Sequence, residues 1–217
     1  MGKCIIVSAG HFVPVEIISE KDDIVIACDA GLEHCLRVDV RPDYIIGDFD
    51  SLAPEYLDMV NEMRGSDPEK VITLPHEKDD TDTLAAIKFG IEKGYKDFRF
   101  YGALGGERME HTIANMQCLI YLKEHDAKGY LLDDVSMTTV ICDETLKLNE
   151  HMNGFISVFA VNGEAKGVTL KNLKYELDDV TLKPGYPVGV SNEFTGKCAE
   201  ITVENGMLLV IINWGRS

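Results

Sequence analysis

The chain has few positive charges for its length: 21 Lys and Arg stand against 37 Asp and Glu, a formal net charge of −16. That deficit argues against nucleic acid and against an anionic membrane as partner, because both are held by Lys and Arg that neutralise phosphate. A phosphate-bearing small molecule stays within reach, provided a divalent cation supplies the missing charge. The six cysteines (Cys4, Cys28, Cys35, Cys118, Cys142, Cys198) form no C-x-x-C pair and no Cys/His cluster at zinc spacing. Several sit inside apolar runs, where a reduced thiol behaves as a small buried hydrophobe. No N-x-S/T sequon occurs, and no apolar run approaches the length of a bilayer span. The opening MGKCIIVSAG reads as a strand rather than as a secretory signal. The expected setting is reduced, soluble and cytoplasmic.

Two nucleotide-binding signatures are missing as well. No G-x-G-x-x-G follows the first strand, which disfavours a dinucleotide fold of the usual sort. In GVSNEFTGKC (189–198) the glycines are too far apart for a phosphate loop, and Cys198 replaces the metal-binding Ser or Thr. No Ser-His-Asp or Cys-His arrangement can be placed from spacing.

What is present divides into two halves. With 217 residues, 45% of them hydrophobic, the chain can bury one large core or two smaller ones. CIIVSA (4–9), DIVIACDA (23–30), DYIIGD (43–48), KVITLP (70–75) and FRFYGA (98–103) are uninterrupted β-rich runs, as strands buried on both faces are. Helical periods separate them. TDTLAAIKFGIEKG (81–94) carries Leu84, Ile87 and Ile91 on one stripe and stops at Gly94; EHTIANMQCLIYLKEH (110–125) carries Ile113, Met116 and Ile120. This alternation predicts an α/β domain with a mainly parallel sheet. From about residue 128 the helical period disappears, and short strand-like runs follow. The dipeptides Asn153-Gly154, Asn162-Gly163, Pro184-Gly185 and Asn205-Gly206 punctuate them as turns. That pattern predicts an all-β, sandwich-like C-terminal domain.

The acidic residues collect at predicted strand ends, where ligands gather in open α/β sheets. Asp29 follows IVIAC, Asp48 and Asp50 follow YIIG, and Asp79, Asp80 and Asp82 follow VITLP after a short loop. In an extended segment Asp48 and Asp50 point the same way, the geometry of a chelating pair. Mg²⁺ takes one or two carboxylates together with substrate phosphates. A capping role is the alternative: Ser51 can be the N-cap of a helix whose first turn contains Pro54, and Asp79–Asp82 can favour a helix dipole. Both readings stand on these residues alone. The loop GALGGERMEHTIAN (102–115) opens a helix with three glycines, so its N–H groups can approach an anion, with Arg108 and His111 beside them. A glycine-rich turn with a surface Arg would read the same.

Together, CDAGLEHCL (28–36), RPDYIIGDFDSL (41–52), EKDDTDTLAAIKFG (77–90), GALGGERMEHTIAN (102–115) and the stretch from Gly167 to Ile211 containing GVSNEF resemble the bacterial thiamine pyrophosphokinases over almost the whole chain. The resemblance implies transfer of a pyrophosphoryl group from ATP to the hydroxyl of thiamine, giving thiamine diphosphate and AMP with Mg²⁺. It implies an α/β nucleotide-binding catalytic domain over residues 1–127, a β-sandwich thiamine-binding domain over 128–217, and a homodimer with sites at the subunit interface. Carried over by motif, Asp48, Asp50 and Asp79 become the metal ligands, and these three with Asp82 the catalytic set. Asp29, Thr81, Arg108, His111, Ser191 and Asn192 become substrate-binding residues. The chain departs from the family pattern at Ala30 (usually Gly), at Glu107, which lengthens the loop, and at Glu110 (usually Asp). The tryptophan role of eukaryotic members is not carried to Trp214. A non-catalytic Mg-nucleotide sensing module and a purely structural protein with acidic helix caps are the rival readings.

Overall fold

The computed structural model describes residues 2–50, 52–75, 77 and 79–214. It divides into two compact units: the chain up to Cys118 with Asp126–Asp134, and Leu119–His125 with the chain from Val135 onward.

In the first unit the β-branched runs form β1 (Cys4–Val7), β2 (Ile24–Cys28), β3 (Tyr44–Gly47), β4 (Val71–Thr73), β5 (Asp97–Tyr101) and β6 (Lys128–Leu132). All pair in parallel, in the order β4-β3-β2-β1-β5-β6. β1 is buried along its whole length, which is why its sequence shows no polar alternation. Helices α1 (Gly31–Arg37), α2 (Pro54–Ser66), α3 (Asp82–Glu92) and α4 (Met109–Glu124) follow β2, β3, β4 and β5. The sheet grows outward from β1 to β4, then the chain crosses back and places β5 on the other side of β1. That reversal is a topological switch point, where the carboxyl ends of the strands open a crevice.

α3 stops where its sequence says it should. Gly94, at φ 91, donates to the Ile91 carbonyl and the Tyr95 N–H donates to that of Gly90, a Schellman pair. Two helix faces differ from the pattern. α3 buries Thr83, Ala86, Ile87 and Gly90, so of the Leu84, Ile87 and Ile91 stripe only Ile87 is fully covered. α4 buries Thr112, Asn115, Cys118, Leu119 and Leu122, while Ile113 is 53% exposed. At α2, Pro54 occupies the first turn and the cap position falls on Ala53, which makes no side-chain bond. Ser51, the expected cap, lies outside the described residues, as does Lys78 of the Lys-Asp-x-Thr-Asp motif.

The second unit contains β7 (Ser136–Cys142), β8 (Thr145–Leu148), β9 (Phe155–Lys171), β10 (Leu177–Leu182), β11 (Asn192–Glu193), β12 (Ala199–Thr202) and β13 (Asn205–Asn213). β13 lies between β7 and the first part of β9, all antiparallel. The second part of β9 pairs with β10 and β12, and β12 pairs with β8. β9 therefore serves two sheets. Ile156, Val158, Val210 and Ile212 from one, and Val168, Leu170, Leu182 and Ile201 from the other, share a single core, as in a sandwich. Asn162-Gly163 is not a turn between two strands. Asn162 (φ 56) and Gly163 (φ 113) sit inside β9, where its register against β13 breaks, and bend the strand from one sheet to the other. Pro184-Gly185 does form a turn, closed by Tyr186 N–H donating to the Lys183 carbonyl.

The sequence pattern changes after residue 127, yet the next strand, β6, pairs in parallel with β5 and clusters with the first unit. Among the described residues no helix is long and apolar enough to cross a membrane.

Candidate functional site

At the switch point of the first unit lies an open cleft of about 810 Å³. Asp29, Asp48, Asp50, Asp79, Thr81, Asp82, Arg108 and His111, all singled out from the sequence, line it.

The acidic wall is built by backbone turns that short or buried side chains enforce. Asp29 directly follows β2 at φ 46, a left-handed conformation that Asp tolerates better than most residues. Its carboxylate folds over Gly47, the last residue of β3: a Cβ built on Gly47 would stand 1.8 Å from Asp29 Oδ1. There the carboxylate accepts the Phe49 N–H at 3.3 Å. Ala30, in place of the family's glycine, adopts ordinary helical angles at the α1 N-cap. Gly31 is the position that must lack a side chain, since its Cβ would meet the Val7 carbonyl at 1.9 Å.

Asp48 and Asp50 do not lie in an extended segment. Between them Phe49 turns left-handed (φ 64) and buries its ring, and the Asp50 N–H donates to Asp48 Oδ1 at 3.4 Å. Both carboxylates still line the cleft, brought there by a turn rather than by strand alternation. The next cluster divides. Asp80 pairs with Lys88 at 2.6 Å, Thr81 caps α3 by accepting the Leu84 N–H at 3.2 Å, and Asp82 opens the helix. Asp79 is exposed.

Burial and the neighbouring carboxyls push the Asp29 pKa up to about 7: burial acts most strongly, then a hydrogen bond with Asp82, the Asp82 charge and the Asp48 charge. Negative charge is thus in excess here, and a proton or a cation relieves it. The donors are hard oxygens, the set that suits Mg²⁺. Among the described residues no three His, Cys, Asp or Glu side chains stand close enough to hold an ion by themselves. A Mg²⁺ site needs no such cage, because one or two carboxylates suffice when phosphates and water fill the remaining positions. The residues present fit that ion.

Gly102, one of the three loop glycines, also lines the cleft, as do Ser8, Gly10, Ala103 and Asn115, to which the sequence had given no role. Ser8 Oγ and Thr83 Oγ1 lie 3.0 Å apart, tying the end of β1 to α3. Asn115 is buried and donates to the Ala103 carbonyl at 2.8 Å. Its signal was available: a polar residue one helical turn after His111. Gly105 (φ 67) and Gly106 (φ 93) give the loop its left-handed turns. Arg108 Nε donates to Glu110 Oε1 at 2.8 Å, an exposed pair that contributes little to stability.

Ser191 and Asn192 stand in the second unit. Ser191, at φ 57, donates its N–H to Ser157 Oγ at 3.0 Å. The buried Asn192 amide is engaged by the fold: it accepts the Tyr175 N–H at 2.9 Å and donates to the Tyr175 carbonyl at 2.6 Å.

The family model for the thiamin pyrophosphokinase catalytic domain matches residues 15–131, and that for the thiamin pyrophosphokinase vitamin B1 binding domain matches residues 143–208. A thiamine pyrophosphokinase of Bacillus subtilis (strain 168) is 25% identical over 191 residues, covering 86% of this chain and 85% of the relative. The crystal structure of thiamine pyrophosphokinase from Bacillus subtilis superposes with a TM-score of 0.87 at 22% identity, over 99% of this chain and 100% of that one. That from Geobacillus thermodenitrificans gives a TM-score of 0.81 at 26% identity, over 99% and 98%.

Proposed function

The chain belongs to the thiamin pyrophosphokinase family, and from that premise we propose how its own residues serve the reaction. The enzyme transfers the pyrophosphoryl group of ATP to the hydroxyl of thiamine, giving thiamine diphosphate and AMP. One observation carries the assignment of roles: the strand-end carboxylates and the glycine-rich loop line the same switch-point cleft.

Phosphoryl-type transfer asks the protein chiefly to position its reactants and to neutralise charge. Asp48, Asp50 and Asp79 would hold Mg²⁺, which when bound neutralises phosphate oxygens and the developing charge on the leaving group. The N–H groups of the Gly105-Gly106 loop and the Arg108 guanidinium receive the anionic tail of ATP. Arg108 exchanges its exposed Glu110 partner for phosphate at small cost. His111, in the first turn of α4, adds a second donor beside it. Thr81 fixes the start of α3, so that Asp82 faces Asp29 and the cleft. A cleft carboxylate accepts the proton of the thiamine hydroxyl as the new bond forms.

Ser191 and Asn192 serve the thiamine side. The support is their motif, together with the Asn192 amide, which fixes Tyr175. The working form is a homodimer in the cytoplasm. Exposed Phe155, Tyr186 and Val188 offer apolar surface for such pairing, and all six cysteines are free thiols. Light scattering reads the mass.

The decisive experiment incubates the protein with ATP, Mg²⁺ and thiamine. AMP and thiamine diphosphate form in equal amounts, and neither forms in EDTA. Asp48→Asn and Asp50→Asn each lower kcat/KM on the order of 100-fold or more, the scale of a lost electrostatic contact to the transition state. Turnover within a few-fold of wild type would refute the chelating roles. Nucleotide binding without any product would favour the sensing module instead.

A further inference from the structure

We propose that His34 is a positioning residue that locks the backbone floor of the cleft, and that it sets ATP affinity without touching ATP. The proposal rests on reading the cleft as the nucleotide site.

His34 lies on α1 and does not line the cleft. Its Nε2 stands 3.0 Å from the Gly10 carbonyl, while Nδ1 is buried without a partner. That arrangement requires the neutral tautomer with the proton on Nε2, which donates to the carbonyl. A second proton would leave a buried Nδ1–H with no acceptor. Burial accordingly holds the His34 pKa below its ordinary value, against the opposing pull of the Gly10 bond. Glu33 and Arg37 on α1 and His11 on the facing loop are the charged or titratable groups around it. The imidazole is also wedged in place: it stacks on the buried Phe12 ring with centroids 4.7 Å apart and planes 18° off parallel.

Through Gly10 the clamp reaches the whole floor. The Gly10 N–H donates to the Gly102 carbonyl at 2.8 Å, so a single residue bridges His34 and the loop after β5. Gly102, at φ 62, packs so closely that a Cβ built on it would come 2.4 Å from the Ser8 carbonyl and 3.3 Å from His34 Cδ2. The neighbouring His11 abuts the double glycine, since a Cβ built on Gly106 would approach the His11 N to 3.4 Å. Ser8, Gly10, Gly102, Gly105 and Gly106 all line the cleft. Glycine loops are conformationally free and form a ready anion cradle only when something outside them removes that freedom. The His34 ring does so here.

The test separates the hydrogen bond from the bulk of the ring. His34→Phe keeps the stack on Phe12 and loses the donor. His34→Gln reaches the same carbonyl with its amide N–H. With wild-type turnover as the control for the cleft assignment, His34→Phe raises KM for ATP about five- to tenfold, the effect of one lost bond to a buried carbonyl. KM for thiamine stays within about twofold and kcat within about threefold, the signature of lost ground-state positioning. His34→Gln restores KM for ATP to within about twofold of wild type. A general structural role would instead move both KM values together, and Gln would not rescue. Should His34→Phe fail to fold, Phe12→Leu removes the ring stacked on His34 while keeping an apolar side chain in the core, and raises KM for ATP selectively to a smaller extent. An unchanged KM for ATP in that variant overturns the proposal. Absence of wild-type turnover sinks the cleft assignment and this proposal together; a flat response in the folded variants sinks this proposal alone.

Discussion

Replacing Gly47 with alanine perturbs the acidic wall through one methyl group. The backbone there has no left-handed angle, so alanine costs no strain and narrows the unfolded chain, a gain of about 0.4–1 kcal/mol. The methyl, however, would stand 1.8 Å from Asp29 Oδ1 and 2.6 Å from its Cγ. The carboxylate must swing away by more than an ångström, giving up the Phe49 N–H and its bond to Asp82. One such hydrogen bond contributes about 1 kcal/mol net. Two are lost, about 2 kcal/mol against a gain of about 0.4–1, so Gly47→Ala melts about 2–6 °C below wild type. Activity responds differently, because a catalytic group misplaced by about 1 Å costs on the order of 100-fold. Circular dichroism melting and chromatographic measurement of thiamine diphosphate read the two quantities separately. A variant with native melting and kcat/KM within about threefold of wild type would show that the placement of Asp29 over Gly47 does not matter to catalysis.

Two further expectations concern neighbouring groups. The folded-state pKa of Asp29, about 7, lies above that of an exposed carboxyl, so between roughly pH 4 and 7 the folded protein binds more protons than the unfolded chain. In EDTA, the Asp29 contribution to stability is therefore fully present below that window and is lost as pH rises through it. Asp29→Asn removes that contribution, and wild-type and variant profiles that match in shape by urea titration would contradict the raised Asp29 carboxyl. Thr81→Ala removes the α3 cap and costs about 1 kcal/mol in the same titration, whereas Thr81→Ser retains it. If alanine and serine melt alike, the 3.2 Å bond to the Leu84 N–H carries no weight.

Much of the architecture was readable from residue order because it depends on local chemistry. Ile-Val runs without polar alternation announce strands covered on both faces, and those of β1, β2 and β3 lie where the runs lie. Gly94 ends α3 because a left-handed C′ residue is a local need that glycine meets in any context. The clustering of acids near the ends of β2 and β3 and before α3 was legible too, but not their role, because carboxylates there serve helix caps and turns as readily as a ligand.

Other features depend on what each segment meets in space. Asp48 and Asp50 reach one cleft because the Phe49 ring finds a buried pocket and drags its backbone left-handed. Nothing in the tripeptide itself announces that pocket. The buried face of α4 includes Thr112 and Asn115, which period counting discounts as polar; Asn115 is inside because the Ala103 carbonyl needs a donor. Asn162-Gly163 permits a tight turn and a strand bend equally well, and the partner strands β10, β12 and β13 select the bend. By itself, then, the sequence determined the order and type of most elements, the two-part plan and the acidic character of the site, all consequences of short-range propensity and burial. The tertiary structure alone decided which way each side chain faces, that Asp29 and Asp82 share a hydrogen bond, and that His34 reaches the floor of the cleft. Those outcomes turn on contacts between residues distant in the chain, which only the folded packing brings within reach.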